Sequence, residues 1–145
     1  METKTTEMLN HEIKTATDIE DYLRENKENM LNCSLPRYLE KMLAKKGLNR
    51  AQAVQGSSLN RTYAYQIFSG EKTPSRDKLL ALAFGMHLTG DETQRMLKIS
   101  CNRELYARDA RDALILFALE RGKTIMEVNE TLYDHGFPAL GVPLY

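Results

Sequence analysis

Apolar residues recur along the chain at the three- and four-residue spacing of amphipathic helices, and no segment alternates with the two-residue period of a strand. The fold class predicted from this pattern is all-α. The tail FPALGVPLY contains two prolines and is expected to be extended. The predicted helices span residues 5–15, 18–31, 34–46, 49–55, 60–70, 75–86, 90–99, 108–121 and 125–135.

Residues that begin and end helices support these boundaries. Side-chain oxygens of Ser, Thr, Asp and Asn satisfy the free amides at a helix start, and glycine adopts the left-handed conformation that ends a helix. Gly47 and Gly70 are expected to end helices, and Gly56-Ser57-Ser58 is expected to form a turn. The predicted caps are Asp18, Ser34, Asn49, Asn60, Ser75 and Thr124.

Charge is distributed unevenly along the chain, which has 145 residues and a net charge of zero. Residues 1–34 carry four Lys/Arg and eight Asp/Glu, and residues 81–145 carry seven and nine. Residues 35–80 carry nine Lys/Arg and only three Asp/Glu. Because a local positive field favours docking onto phosphates, this middle segment indicates a nucleic-acid partner that the total charge does not.

The sequence offers little support for an enzyme, a metal site or a membrane protein. The three histidines lie far apart, and the chain has no Gly-rich phosphate loop and no nucleophile elbow. No apolar run approaches ~18 residues, and the first residues lack a signal pattern, so a cytoplasmic protein without a cofactor is expected. Cys33 and Cys101 lack the spacing of a metal site and are expected to be reduced thiols.

The predicted helix over residues 60–70 has two different faces. Helical spacing directs Ala64, Ile67 and Phe68 towards the core, together with Leu59 just before the helix. The opposite face is polar and aromatic. It carries Arg61, Thr62, Tyr65, Gln66 and Ser69, while Tyr63 lies at the boundary between the two faces.

The stretch GLNRAQAVQGSSLNRTYAYQIFSGEKTP, residues 47–74, resembles the lambda-repressor/Cro-like (XRE-type) helix-turn-helix family. The resemblance rests on Gly47-Leu48, on the apolar positions Val54, Leu59 and Ile67, on the cap Asn60 and on the closing Gly70. The chain departs from the family pattern at three positions: Ser58 replaces the usual glycine, Val54 an alanine and Phe68 a glutamate. The glycine replacement implies a strained or shifted turn.

This resemblance implies a five-helix lambda-repressor-like core over residues 34–100. An acidic helical extension at 1–33 would precede it, and a helical hairpin and tail at 101–145 would follow. In the family, the helix equivalent to residues 60–69 enters the major groove of double-stranded DNA.

The resemblance also implies roles for individual residues. Arg76 has an alternative role, because it could instead form a capping network with Asp77. Tyr63 and Tyr65 could likewise pack on the preceding helix. The residues expected to read bases are Arg61, Thr62, Tyr65 and Gln66. The residues expected to contact phosphates are Arg50, Asn60, Ser69, Lys72, Arg76 and Lys78.

The expected function is that of a transcriptional regulator of bacterial or phage type. The alternative is a protein–protein interaction adaptor that keeps the helix-turn-helix scaffold without reading DNA. The apolar helix over residues 105–121 either packs on the core as part of a hairpin or forms a homodimer interface. The acidic N-terminal helix either caps that hairpin or binds a basic protein partner.

Overall fold

The computed structural model describes residues 4–26 and 35–141, and all regular secondary structure within those residues is helical. The all-α prediction is confirmed for this part of the chain. The helices are α1 (Thr6–Thr15), α2 (Ile19–Glu25), α3 (Leu35–Lys46), α4 (Arg50–Ser57), α5 (Arg61–Ser69), α6 (Arg76–Gly85), α7 (Gly90–Ile99), α8 (Ala110–Glu120) and α9 (Ile125–Asp134).

Most helix starts follow the predicted capping chemistry. The side chains of Asp18, Asn49, Asn60, Ser75 and Thr124 each accept a hydrogen bond from a backbone amide in the first turn of the following helix. These contacts form within a few residues of sequence, which is why the pattern predicts them. The predicted cap Ser34 and its neighbour Cys33 lie outside the described residues.

Helix α2 covers Ile19–Glu25, and residues 27–31 of the predicted helix lie outside the described residues. The buried Asn26 follows its last turn, and its side-chain amide donates to the Tyr22 carbonyl at 3.1 Å and to the Glu12 carboxylate at 2.8 Å. The Lys4 ammonium donates to the side-chain oxygen Oδ1 of Asn26 at 2.8 Å. These side-chain bonds tie the end of α2 to α1, a contact that helical periodicity does not predict.

The predicted turn at Gly56-Ser57-Ser58 is wrong, because α4 continues through Ser57. Gly56 serves as a packing residue, and a Cβ added to it would lie 3.0 Å from the Cα of Gly85 in α6. The turn falls at Ser58, which adopts the left-handed conformation with φ of 59°. Ser57 supports this turn, since its buried hydroxyl donates to the Val54 carbonyl and accepts from the Leu59 amide.

One cluster of buried apolar side chains extends from α3 to the segment after α9. Helices α8 and α9 contribute Ile115, Val128 and Leu132 to it, so the inner side of the C-terminal hairpin packs on the core. No residue of α1 or α2 belongs to this cluster. Within residues 4–26 and 35–141, none of the helices has both the length and the apolarity that crossing a membrane requires.

Candidate nucleic-acid interface

Helix α5 divides its residues as its periodicity predicts. Ala64, Ile67 and Phe68 are at most 1% exposed and belong to the core. On the opposite side Arg61, Thr62 and Ser69 are exposed, and Tyr65 and Gln66 are half-buried. The outward face is therefore a polar and aromatic surface, with its most accessible side chains at the N-terminal end of the helix.

Contacts at both ends fix the direction of α5. At its start, the Asn60 side chain accepts a hydrogen bond of 3.0 Å from the Tyr63 amide. At its end, Gly70 has a φ of 85° and lies so close to α3 that a Cβ there would be 3.2 Å from Pro36 Cγ. In the neighbouring helices, the close approach of Gly56 and Gly85 holds α4 against α6. The outward face of α5 is thus carried by closely packed neighbouring helices.

Each of the three aromatic residues of α5 lies beside a cation. The Arg61 guanidinium is 5.7 Å from the centre of the Tyr65 ring, and the Lys78 ammonium is 5.5 Å from the centre of the Tyr63 ring. The Arg50 guanidinium is 5.6 Å from the centre of the Phe68 ring. Because cation–π contacts orient long side chains, these three cations are held around α5.

The cations differ in how much of their charge is free. Arg50 forms an ion pair with Glu40, in which its Nε donates to a carboxylate oxygen at 2.7 Å. Among the described residues no carboxylate pairs with Arg61, Lys72 or Lys78. Their charges are therefore available to an anionic ligand, whereas Arg50 shares its charge with Glu40.

Two of the predicted phosphate ligands already use their side chains in helix ends. The side-chain oxygen Oδ1 of Asn60 caps α5, which leaves the side-chain NH₂ group as the donor for an external partner. The Ser69 hydroxyl donates to the Gln66 carbonyl at 3.1 Å and accepts from the Glu71 amide at 3.3 Å. Ser69 therefore supports the C-terminal end of α5 and has little capacity left for a phosphate.

Arg76 is not a free surface cation, because it is held in an internal network. Its guanidinium makes two bonds to Asp112, at 3.2 and 2.9 Å, and donates to the carbonyls of Arg103 and Glu104. The side chain is 18% exposed and that of Asp112 only 2%. Burial would raise the pKa of Asp112, but the hydrogen bonds from Arg76 and the Tyr106 amide outweigh it, and the net shift is downward. Asp112 is thus an anion that neutralises the charge of Arg76.

The predicted alternative for Arg76 is also not what the structure has, since Asp77 pairs with Arg111. Arg111 donates to both carboxylate oxygens of Asp77, at 2.9 and 3.1 Å, and to the Pro138 carbonyl. The Arg-Asp dipeptides of α6 and α8 therefore pair crosswise, Arg76 with Asp112 and Arg111 with Asp77. The repeated Arg-Asp at 76–77, 108–109 and 111–112 was a signal in the sequence, but it does not say which residues pair.

The surface around α4 and α5 is basic overall. Residues 50–78 carry five Lys/Arg and two Asp/Glu; Asp77 is neutralised by Arg111, Arg76 by Asp112 and Arg50 by Glu40, which leaves Arg61, Lys72 and Lys78 as the cations of this surface. Glu71, exposed after the end of α5, is the remaining acidic side chain of this segment. In the part of the chain that the structure describes, no group of three or more His, Cys, Asp and Glu side chains could hold a metal ion.

No protein-family model, curated protein or solved structure matches this chain.

Proposed function

We propose that this protein binds double-stranded DNA sequence-specifically as a transcriptional regulator. In this proposal α4 and α5 are the two helices of a helix-turn-helix, and α3 to α7 form a lambda-repressor-like core. Helix α5 would lie in the major groove, which has the width to admit an α-helix.

The observation that carries the proposal is the accessible N-terminal half of α5. There Arg61 is exposed and unpaired by any described carboxylate, and Thr62 is exposed beside it. Reading helices present their N-terminal residues to base edges, and arginine donates two hydrogen bonds to guanine O6 and N7. The Tyr65 ring beside Arg61 reduces the conformational freedom that its guanidinium would lose on binding.

The remaining roles follow from exposure and charge. Gln66 is half-buried and has the amide that pairs with adenine, and Thr62 has a methyl group for thymine. Lys72 and Lys78 are the free cations that would contact phosphates, with Arg50 contributing while it remains paired to Glu40. Arg76 is left out of this set, because Asp112 already neutralises it.

Selection from a randomised duplex pool tests the proposal. We expect a consensus site to emerge, and Arg61→Ala to weaken binding to that site and relax the preference at one base pair, at a cost of about 1–3 kcal/mol. Arg95→Ala, which removes an exposed arginine of α7, is the matched control and should leave the preference unchanged.

The alternative is a protein adaptor built on the same scaffold, and the Glu40–Arg50 pair and Glu71 favour it by reducing the positive field near α5. The same selection separates the two functions. An adaptor would enrich no duplex even at low salt, where the contribution of phosphate contacts to affinity is largest.

A further inference from the structure

The outward side of the C-terminal hairpin carries a groove of mixed apolar and charged lining that the core does not cover. The groove lies between α8 and α9 and has a volume of about 360 Å³. Phe117 projects from it with 56% of its surface exposed. Its lining combines apolar side chains, including Leu114, Phe117 and Val128, with charged ones, including Lys123, Glu130 and Asp134.

The outer stripe of α8 pairs well with a second copy of itself. At helical spacing, Ala110, Ala113, Leu114 and Phe117 share this outward side, and all four are exposed or half-buried. An antiparallel α8–α8 contact centred between Ala113 and Leu114 brings Phe117 of each copy opposite Ala110 of the other. The large side chain then meets the small one, which is the complementarity that a symmetric interface requires.

Charge supports the same arrangement. The Arg121 guanidinium lies 4.6 Å from the centre of the Phe117 ring, at the C-terminal end of α8. Because α8 and α9 form a hairpin, the C-terminal end of α9, with Glu130 and Asp134, lies beside the start of α8. An antiparallel second copy therefore brings its Arg121 to these two carboxylates, in both directions across the two-fold axis.

We propose that the protein forms a homodimer through this surface, which we call the α8 face: Ala110, Ala113, Leu114, Phe117 and Arg121. Phe117 packs against Ala110 of the other copy, and Arg121 pairs with Glu130 or Asp134 of its groove. The occupant is a second copy because Arg121 lies at one end of the α8 face and the carboxylates of Glu130 and Asp134, on the neighbouring α9, lie towards its other end. This inference does not depend on DNA binding, since the interface forms in the protein alone.

The test is a charge exchange followed by sedimentation equilibrium without DNA. The wild-type chain should have twice the monomer mass. Arg121→Asp and Asp134→Arg should each weaken dimerisation by at least about tenfold, and the double variant should recover most of that loss, because the exchanged charges attract again. Phe117→Ser should give monomers, whereas Met126→Ser, which changes another exposed apolar residue of the hairpin, should not.

Two outcomes would overturn the proposal. One is a wild-type chain that remains monomeric at the highest soluble concentration. The other is a dimer that Phe117→Ser and both single charge reversals leave intact, which would assign the interface to another surface. Circular dichroism of each variant separates loss of the interface from loss of the fold, and the substituted side chains of Phe117 and Arg121 are exposed in the single chain.

Discussion

The outward faces of α5 and of the α8–α9 hairpin rest on the same core but have opposite chemistry. Residues 50–78, around α5, carry five Lys/Arg and two Asp/Glu, whereas residues 110–134 carry three and five. The face of α5 is polar and aromatic, and the hairpin exposes Phe117, Met126 and Tyr133. Helix α5 and the α8–α9 hairpin both bury apolar side chains in this core, so their chemical difference lies in the residues that face away from it.

The largest effect is expected where the two regions are joined. Asp112→Ala would leave the mostly buried charge of Arg76 without its carboxylate partner, although its bonds to the Arg103 and Glu104 carbonyls remain, at an expected cost of about 3 kcal/mol in the free energy of unfolding. Urea denaturation measures it. The exposed Asp91→Ala in α7 is the control and should cost less than about 0.5 kcal/mol. Equal losses in the two variants would show that the crosswise Arg–Asp pairing does not hold the regions together.

A second effect concerns Glu92, which braces α3 to α7 through Lys45 and Lys46, both at 2.7 Å. Burial would raise the pKa of Glu92, but the hydrogen bonds from Lys45 and Lys46 outweigh it and lower the pKa to about 2. Since the folded pKa lies below the ordinary value of 4.5, this stabilisation is complete above about pH 4.5 and is lost as the pH falls towards 2.

This contribution of Glu92 is expected to be about 2–3 kcal/mol after allowance for screening by solvent. Glu92→Gln should be less stable than the wild type at pH 7, and the difference should shrink on acidification. Denaturation curves at several pH values measure it. A stability difference that stays constant between pH 5 and pH 2 would contradict the lowered pKa.

A smaller effect, on the salt dependence of DNA binding, is expected when the unpaired Lys78 is compared with Lys123, which lies near a carboxylate. Lys78→Ala should reduce the slope of log affinity for duplex DNA against log salt by about one, because one phosphate contact is lost. Lys123→Ala, in the hairpin, should leave the slope unchanged, since Lys123 lies 3.9 Å from Glu127 and on the other surface. Fluorescence anisotropy at a series of salt concentrations distinguishes the two variants.

The smallest effect is expected at the turn before α5. Ser58 has a φ of 59°, a conformation that glycine adopts without a steric penalty. Ser58→Gly should therefore stabilise the protein by about 0.5–1 kcal/mol, after the larger backbone entropy of glycine in the unfolded chain is subtracted. Thermal unfolding measures the change, and a lower melting temperature for the variant would show that Ser58 makes a contact worth more than the strain.

Sequence reasoning succeeded where the determining contacts are local. Asn49, Asn60 and Ser75 cap helices whose amides lie within three residues, and the 3.6-residue period of α5 separates its buried face from its outward face. It failed where the contact is distant in sequence. Helix α4 continues through Gly56, where Gly85 of α6 packs against it. Arg76 is paired with Asp112, which lies 36 residues away in the sequence.

The Arg76 example explains why a candidate site is harder to predict than a fold. A basic residue at the right position in a motif has the same appearance in sequence whether its charge is free or neutralised. The ring beside Arg61 belongs to Tyr65, one turn along the same helix, whereas the buried carboxylate beside Arg76 belongs to Asp112, 36 residues away, and only the three-dimensional fold brings it there.

The most direct test of the central claim is an NMR titration of the ¹⁵N-labelled protein with its selected duplex. If α5 reads DNA, the largest amide shifts should fall between Arg61 and Gln66 and at the start of α4, with no comparable change along α9 between Glu127 and Asp134. Shifts concentrated on the α8–α9 groove, or no shifts at saturating duplex, would contradict the assignment of α5 as the reading helix.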